Sequence, residues 1–174
     1  MRQIALSIKT SGPLTMGGDR IVEVGAVELA DHRISERNVY SYINPGKALC
    51  PSEEAVLGFS NAFLIDKPVF GAVAADLLNF VRGSRLLVYD APFHMGFLNA
   101  ELDLLELPPL DVSIQCVVDI RKKALIMFSD EEACLDALCS RYKIEMPSST
   151  SRSALDDARI FGQIYLGMSE LSRE

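Results

Sequence analysis

The sequence predicts one α/β domain, residues 1–174, built on a mixed sheet of about five strands with helices on its faces. Strand-like alternation dominates the first quarter of the chain, and helical periodicity begins after Pro51. Two short apolar segments between helical segments add two buried strands. With 49% hydrophobic residues in 174, the chain can bury one sizeable core. The predicted order is β-β-β-α-β-α-β-α-α-α.

Three successive strands are predicted near the amino terminus. Apolar residues alternate with small ones over 4–8, a β-branched stretch covers 20–29, and a third apolar segment covers 39–43. Residues 31–33 fit a tight turn between the second and third strands, and Gly17-Gly18 fits a flexible turn. The short connections favour antiparallel pairing.

Helical periodicity is clearest from Phe70 to Val81, where apolar residues fall at i, i+3, i+4, i+7, i+8 and i+11 before Arg82-Gly83. The same reasoning predicts further helices at about 93–105, 120–128, 133–142 and 154–168, and buried strands at 85–89 and 113–118. The last helix carries an apolar stripe that would cover the sheet.

Composition limits the classes of partner. The 17 Lys and Arg against 24 Asp and Glu give 17 − 24 = −7, so strong non-specific binding to duplex DNA is not expected. No apolar run approaches the roughly 18 to 20 residues of a membrane span, and the first residues lack a signal-peptide core, which favours a cytoplasmic protein without membrane contact. The four scattered cysteines are expected to be reduced, mostly buried thiols without a metal role: Cys50, Cys116, Cys134 and Cys139.

The chain resembles the DnaQ-like branch of the DEDDh 3′-5′ exonucleases, the family of the proofreading epsilon subunits of bacterial DNA polymerase III. The resemblance rests on six segments in matching order and spacing: RQIALSIKTSG, DRIVEVGAVEL, FLIDKPVF, VRGSRLLVYDAPFHMGF, LDALCSRYKIE and ALDDARIFGQIYLGM. It covers about residues 2–170 and implies the ribonuclease H-like exonuclease fold. Family members usually continue into a polymerase-binding tail, which we do not expect in a chain ending at Glu174.

The chemistry of that family requires four carboxylates and a histidine, which together hold two divalent ions and activate water. The first two carboxylates form D-x-E on one strand face, and Ser7 and Lys9 stand at those positions. His94 stands at the third carboxylate, and Arg152 at the histidine. Asp157 alone matches the family's residue type.

These replacements remove the properties that two-metal hydrolysis needs. A hydroxyl is a weak ligand, an ammonium repels a cation, and a guanidinium does not release its proton. Neutral imidazole suits Mg²⁺ poorly. Leu57 also stands where the family has a further histidine, in Val56-Leu57-Gly58. We therefore expect no catalytic residues, no bound metal and no cofactor.

The alignment is fixed by framework residues on both sides of each motif. Gly12 follows the first motif, Phe93 and Gly96-Phe97 surround the third, and Ala154 and Ala158 surround the last. The sequence is accordingly identified as a pseudo-exonuclease of this family.

The charges at the replaced positions suggest two alternatives to metal binding. In the first, Lys9 forms an ion pair with Asp157 in the space of the metals, since an isolated buried charge is costly. In the second, Lys9, Arg152 and protonated His94 hold a phosphate of single-stranded nucleic acid.

The hydroxyls of Thr10 and Ser11 would assist the phosphate site. Decay of the site, with no new ligand, is the simpler alternative and is favoured here.

Other polar residues offer weaker candidates. Asp90 and Asp156 could rebuild a metal site with Asp157, but helix capping and a solvated position explain them better. His32 is expected to be exposed in a turn, and the basic run 121–123 to form a solvated helix face opposed by nearby acids.

The leading hypothesis is a catalytically degenerate relative of the proofreading exonuclease that acts in binding or assembly. Its partner would be a single-stranded 3′ end of nucleic acid, or a polymerase or replisome protein. The alternative is an active 3′-5′ exonuclease on DNA or RNA that uses Mg²⁺ or Mn²⁺ with nonstandard ligands. Self-association through an exposed apolar surface is a third hypothesis, and the oligomeric state is left open.

Overall fold

The computed structural model describes residues 2–129, 131–148 and 152–171 of the chain. Five strands form one sheet: β1 (Gln3–Thr10), β2 (Ile21–Ala30), β3 (Arg33–Tyr42), β4 (Arg85–Val88) and β5 (Cys116–Asp119). Seven α-helices accompany it in the described residues: α1 (Pro51–Leu57), α2 (Asn61–Leu64), α3 (Phe70–Val81), α4 (Ala91–Asp103), α5 (Ile120–Met127), α6 (Leu135–Arg141) and α7 (Ala154–Leu171).

The sheet has the order β3-β2-β1-β4-β5. β1 pairs antiparallel with β2 and parallel with β4, β2 pairs antiparallel with β3, and β4 pairs parallel with β5. The predicted mixed five-stranded sheet is confirmed. All but the last residue of β2 are buried, which explains its nearly continuous β-branched and small residues.

β3 is longer than predicted. It begins at Arg33 rather than 39, because its first half is polar and lies at the sheet edge, where no apolar alternation marks a strand. The predicted tight turn before it is present. Asp31 and His32 both have positive φ, 50° and 59°, and His32 is exposed as expected.

The helix predicted over 70–81 is confirmed with those bounds. α4 begins earlier than predicted because the Asp90 side chain accepts a hydrogen bond from Phe93 N at 3.1 Å, and Pro92 fits the first turn. α1 and α2 were not predicted, since helices of 7 and 4 residues are too short to show a 3.6-residue period. None of the helices in the described part is long and apolar enough to span a bilayer.

The core has two layers, one on each face of the sheet. Ile4, Leu6 and Ile8 of β1 pack with α3 and α4 on one face. Ala5 packs with α5, α6 and α7 on the other. Because side chains alternate along a strand, residues 7 and 9 share the α7 face with Ala5. The family's D-x-E positions therefore face the last helix.

The expectation of mostly buried thiols is wrong. Cys139 is buried, whereas Cys50, Cys116 and Cys134 are exposed. Cys50 and Cys134 occupy the N-cap positions of α1 and α6, and Cys116 begins the edge strand β5. Helix starts and strand ends lie at the surface, so position in the element overrides the usual preference of cysteine for the core.

Candidate functional site

The candidate site forms where the first turn of α7 crosses β2. At Gly25 the two backbones touch, since a Cβ there would lie 2.3 Å from Leu155 N and 2.5 Å from Ala154 C. Only glycine permits this approach. The contact places the amino end of α7 over the face of the β1–β2 hairpin that carries residues 7 and 9.

Glu23 of β2 lies directly opposite Lys9 of β1 in the antiparallel register. Its side chain is 1% exposed and accepts hydrogen bonds from Tyr40 Oη at 2.8 Å and Ala154 N at 2.9 Å. Lys9 Nζ lies 3.8 Å from Glu23 Oε2 and also donates to the main-chain oxygen of Arg152. Glu23 therefore joins β1, β3 and the start of α7 through one carboxylate.

A second ion pair joins the last helix to Arg152, two residues before the helix begins. Arg152 Nε lies 2.5 Å from Asp157 Oδ1, and both side chains are largely buried. Burial raises the pKa of Asp157, and the charges of Arg152 and Lys9 reverse only part of that rise.

The ion pair predicted between Lys9 and Asp157 is thus replaced by two others: Lys9 pairs with Glu23, and Arg152 with Asp157. Sequence reasoning missed Glu23 because it belongs to no position compared with the family motifs. The hairpin register, which sets it opposite Lys9, was the signal that could have found it. The four charges sum to zero.

Ser7 and His94 are both buried. His94 Nδ1 lies 2.8 Å from the Asp90 carbonyl oxygen, which can only accept, so this nitrogen carries the proton. Nε2 has no hydrogen-bond partner among the described residues, and the ring packs edge-on against Phe161 at 5.9 Å between centroids. Burial lowers the pKa of His94, which opposes the predicted imidazolium.

We expect His94 to make the protein acid-sensitive. The unfolded chain takes up a proton on this residue near pH 6.5, whereas the folded chain does so only at lower pH, so stability falls as pH decreases below about 6.5. The maximum slope is about 1.4 kcal/mol per pH unit. Urea unfolding between about pH 7.5 and 5 measures it. His94→Phe should flatten the profile in this window, and an equal slope in both proteins would contradict the assignment.

Thr10 and Ser11 are directed away from the ion pairs. Thr10 Oγ1 donates to the carbonyl oxygen of Gly12, and Ser11 Oγ accepts a hydrogen bond from Arg20 N. Both line a separate cavity of about 510 Å³ that does not include Lys9 or Arg152. The structure therefore does not bring these hydroxyls together with the cations, contrary to the predicted phosphate site.

The ion pairs border an open cavity of about 530 Å³, here called the site cavity. Its lining combines charged, aromatic and small residues: Lys9, Glu23, Tyr42, Leu57, Gly58, Phe59, Ser60, Phe63, Arg152 and Ser153. Tyr42 packs edge-on against Phe63 at 4.8 Å and Phe59 at 5.6 Å between centroids. Sequence reasoning missed this aromatic wall, because two of its rings belong to the unpredicted segment around α1 and α2.

The residues of the site do not fit a pair of dications. The only carboxylate retained at a family position, Asp157, is bound to Arg152, and Lys9 brings an ammonium to the same face. Among the described residues, no three His, Cys, Asp or Glu side chains are grouped so that they could hold a metal.

The capping role favoured for Asp90 over a rebuilt metal site is confirmed, and Asp156, expected to be solvated, also makes helix-capping contacts. Asp90 caps α4, and Asp156 accepts hydrogen bonds from Ser153 N at 2.9 Å and Ser153 Oγ at 2.7 Å. Side chains that satisfy helix N–H groups are explained without a metal.

A family model described as "RNase_T: Exonuclease" matches residues 10–165. The chain is 37% identical over 173 residues to the DNA polymerase III subunit epsilon of Salmonella typhimurium, covering 97% of this chain and 71% of that protein. The epsilon subunit of Escherichia coli is 36% identical with the same coverage.

Solved structures share the fold. The nuclease domain of 3′hExo, a DEDDh family member bound to rAMP, superposes with a TM-score of 0.79 at 17% identity, covering 97% of this chain and 92% of that one. Exonuclease X in complex with 5′ overhanging duplex DNA superposes with a TM-score of 0.71 at 20% identity, covering 99% and 93%. The predicted ribonuclease H-like exonuclease fold is confirmed.

Proposed function

The chain belongs to the RNase_T exonuclease family, with DNA polymerase III epsilon subunits as relatives, and we propose that it binds single-stranded nucleic acid ends without cutting them. One observation supports the proposed absence of cleavage. Two of the side chains at the family's catalytic positions, Arg152 and Asp157, form an ion pair with each other. A third, Lys9, pairs with Glu23 of the neighbouring strand. A site neutral by itself has no need of dications.

Binding is supported by the shape and lining of the site cavity. Its volume of about 530 Å³ lies within the usual range for small-molecule sites. Phe59 and Phe63 line the cavity, and Phe63 is 38% exposed. Lys67 Nζ lies 4.1 Å over the Phe63 ring, so a base would stack on Phe59 or on the other face of Phe63. Arg152 Nε lies 2.5 Å from Asp157, and its other guanidinium N–H groups form no ion pair with the described residues, so they could contact a phosphate.

A nuclease and binding assay tests both parts of the proposal. A 3′-labelled single strand of DNA or RNA should stay full-length with Mg²⁺ or Mn²⁺ and bind weakly at low salt, because the chain has a net charge of −7. Phe63→Ala should weaken binding roughly tenfold, the value of one base stacking on an aromatic ring. Ile65→Ala, an exposed change two residues away and outside the site cavity, is the matched control.

Stepwise shortening of the strand by homogeneous protein would instead support an active exonuclease with nonstandard ligands. Absence of binding at low salt, or equal losses of affinity from Phe63→Ala and Ile65→Ala, would overturn the nucleic-acid part.

A second candidate function is binding to a protein of a polymerase assembly. It is supported by the relatives, which are subunits of DNA polymerase III. Co-purification with a polymerase subunit that survives nuclease treatment would support it.

A further inference from the structure

A groove of about 650 Å³ runs between α4 and α5 across the edge strand β5, and we call it the α4–α5 groove. Its apolar lining includes Met95 of α4, Val117 of β5 and Ile126 of α5. None of the residues that line it also lines the site cavity. The groove is therefore a separate surface from the site described above.

One apolar side chain that lines this groove is largely open to solvent: Ile126 is 81% exposed. α5 directs Ile120 and Ala124 into the core, so it does not need Ile126 for its own packing. An exposed isoleucine beside an apolar groove is typical of a contact surface for another molecule.

The rim of the groove carries two carboxylates, Asp111 and Asp119, and two lysines that form no ion pair among the described residues. Within the described ranges no carboxylate lies within 4.0 Å of Lys122 or Lys123. Asp119 accepts from the N–H groups of Lys122 and Ala91, both at 2.9 Å. Asp111 faces the Asn99 amide at 3.3 Å. Both carboxylates keep their charge, but each already accepts hydrogen bonds from N–H groups of the protein, whereas the ammonium groups of Lys122 and Lys123 have no carboxylate partner in the described ranges.

We propose that the α4–α5 groove binds an acidic amphipathic helix of a partner protein. The apolar face of that helix would pack on Met95, Val117 and Ile126, and its carboxylates would pair with Lys122 and Lys123. Strand addition is disfavoured because β5 has only 4 residues. Nucleic acid is disfavoured because, among the residues that the structure describes, no aromatic side chain lines the groove to stack a base.

The test uses a fluorescein-labelled synthetic helical peptide of about 15 residues, with Leu at i, i+3, i+4 and i+7 and Glu elsewhere. Fluorescence anisotropy at low salt should show saturable binding to the full chain. Ile126→Glu, and separately the double change Lys122→Glu with Lys123→Glu, should each weaken binding at least tenfold. Leu125→Glu and Arg121→Glu are the matched controls, since both residues are exposed on α5 but do not line the groove.

Several results would overturn the proposal. These are absence of peptide binding, equal binding of a peptide with Lys in place of every Glu, or equal losses in the control variants. If the protein is dimeric and Ile126→Glu alone makes it monomeric, the groove belongs to a second copy of the chain instead. All changed residues lie at the surface, and circular dichroism melting checks that each variant is folded.

Discussion

Restoring the family's side chains at four positions is expected to produce a metal-dependent 3′-5′ exonuclease. The changes are Ser7→Asp, Lys9→Glu, His94→Asp and Arg152→His, in addition to the native Asp157. They remove both cations and return the carboxylates that hold two dications and the base that activates water. Stepwise shortening of a 3′-labelled strand with Mn²⁺ should rise roughly 10³-fold or more over the unchanged protein, because a general base alone contributes about 10²–10⁴.

The matched control carries the same four changes together with Asp157→Asn. Losing the last carboxylate should abolish the gained activity, which separates it from a contaminating nuclease. The variant with four substitutions should also melt at a lower temperature in EDTA than in Mn²⁺. Without a cation, the new glutamate at position 9 would repel Glu23, which lies opposite it. A folded variant that binds Mn²⁺ yet leaves the strand intact would mean that more than these four side chains separates this chain from its active relatives.

Removing the Glu23 carboxylate is expected to be the most destabilising single change in the site. Glu23→Ala leaves the Tyr40 hydroxyl and Ala154 N without their acceptor, and Lys9 keeps only its hydrogen bond to the Arg152 carbonyl. Breaking a buried ion pair in this way costs about 3–5 kcal/mol. Urea unfolding followed by circular dichroism measures the loss. Glu23→Gln keeps an oxygen for the two hydrogen bonds, so it should cost clearly less.

Glu132→Ala is the matched control for that experiment. Glu132 also forms an ion pair, with Arg141 at 2.6 Å, but both side chains are well exposed. Surface pairs contribute little, and the two hydrogen bonds that Ser129 donates to Glu132 are exposed as well, so Glu132→Ala should cost much less than Glu23→Ala. Similar losses at Glu23 and Glu132 would refute a special role for the buried pair.

The sequence predicted the sheet and the longer helices because their burial leaves periodic apolar patterns. The helix over 70–81 has four buried residues on one face, and its bounds follow from that pattern. Apart from the start of β3, which lies six residues earlier than predicted, the bounds of the other predicted elements agree within three residues. The polar half of β3 and the short helices α1 and α2 carry no such pattern, which is why sequence reasoning missed them.

The candidate site was predicted in its residues but not in its contacts. Positions 7, 9, 94, 152 and 157 were chosen by motif, and the structure brings Lys9, Arg152 and Asp157 together at the start of α7. Partner choice depended on Glu23, a residue that lies on a neighbouring strand rather than in a motif. Which of two nearby acids an amine contacts depends on side-chain geometry, and strand periodicity does not report it.

The contact between the backbones of β2 and α7 at Gly25 affects which substitutions the site can accept during evolution. The spacing between the hairpin and the first turn of α7 is set by backbone atoms, so it does not depend on which side chains surround it. Mutations can therefore exchange acids for bases around this point while the scaffold keeps its dimensions. In this fold, the backbone geometry of the site can therefore be conserved while its catalytic side chains change.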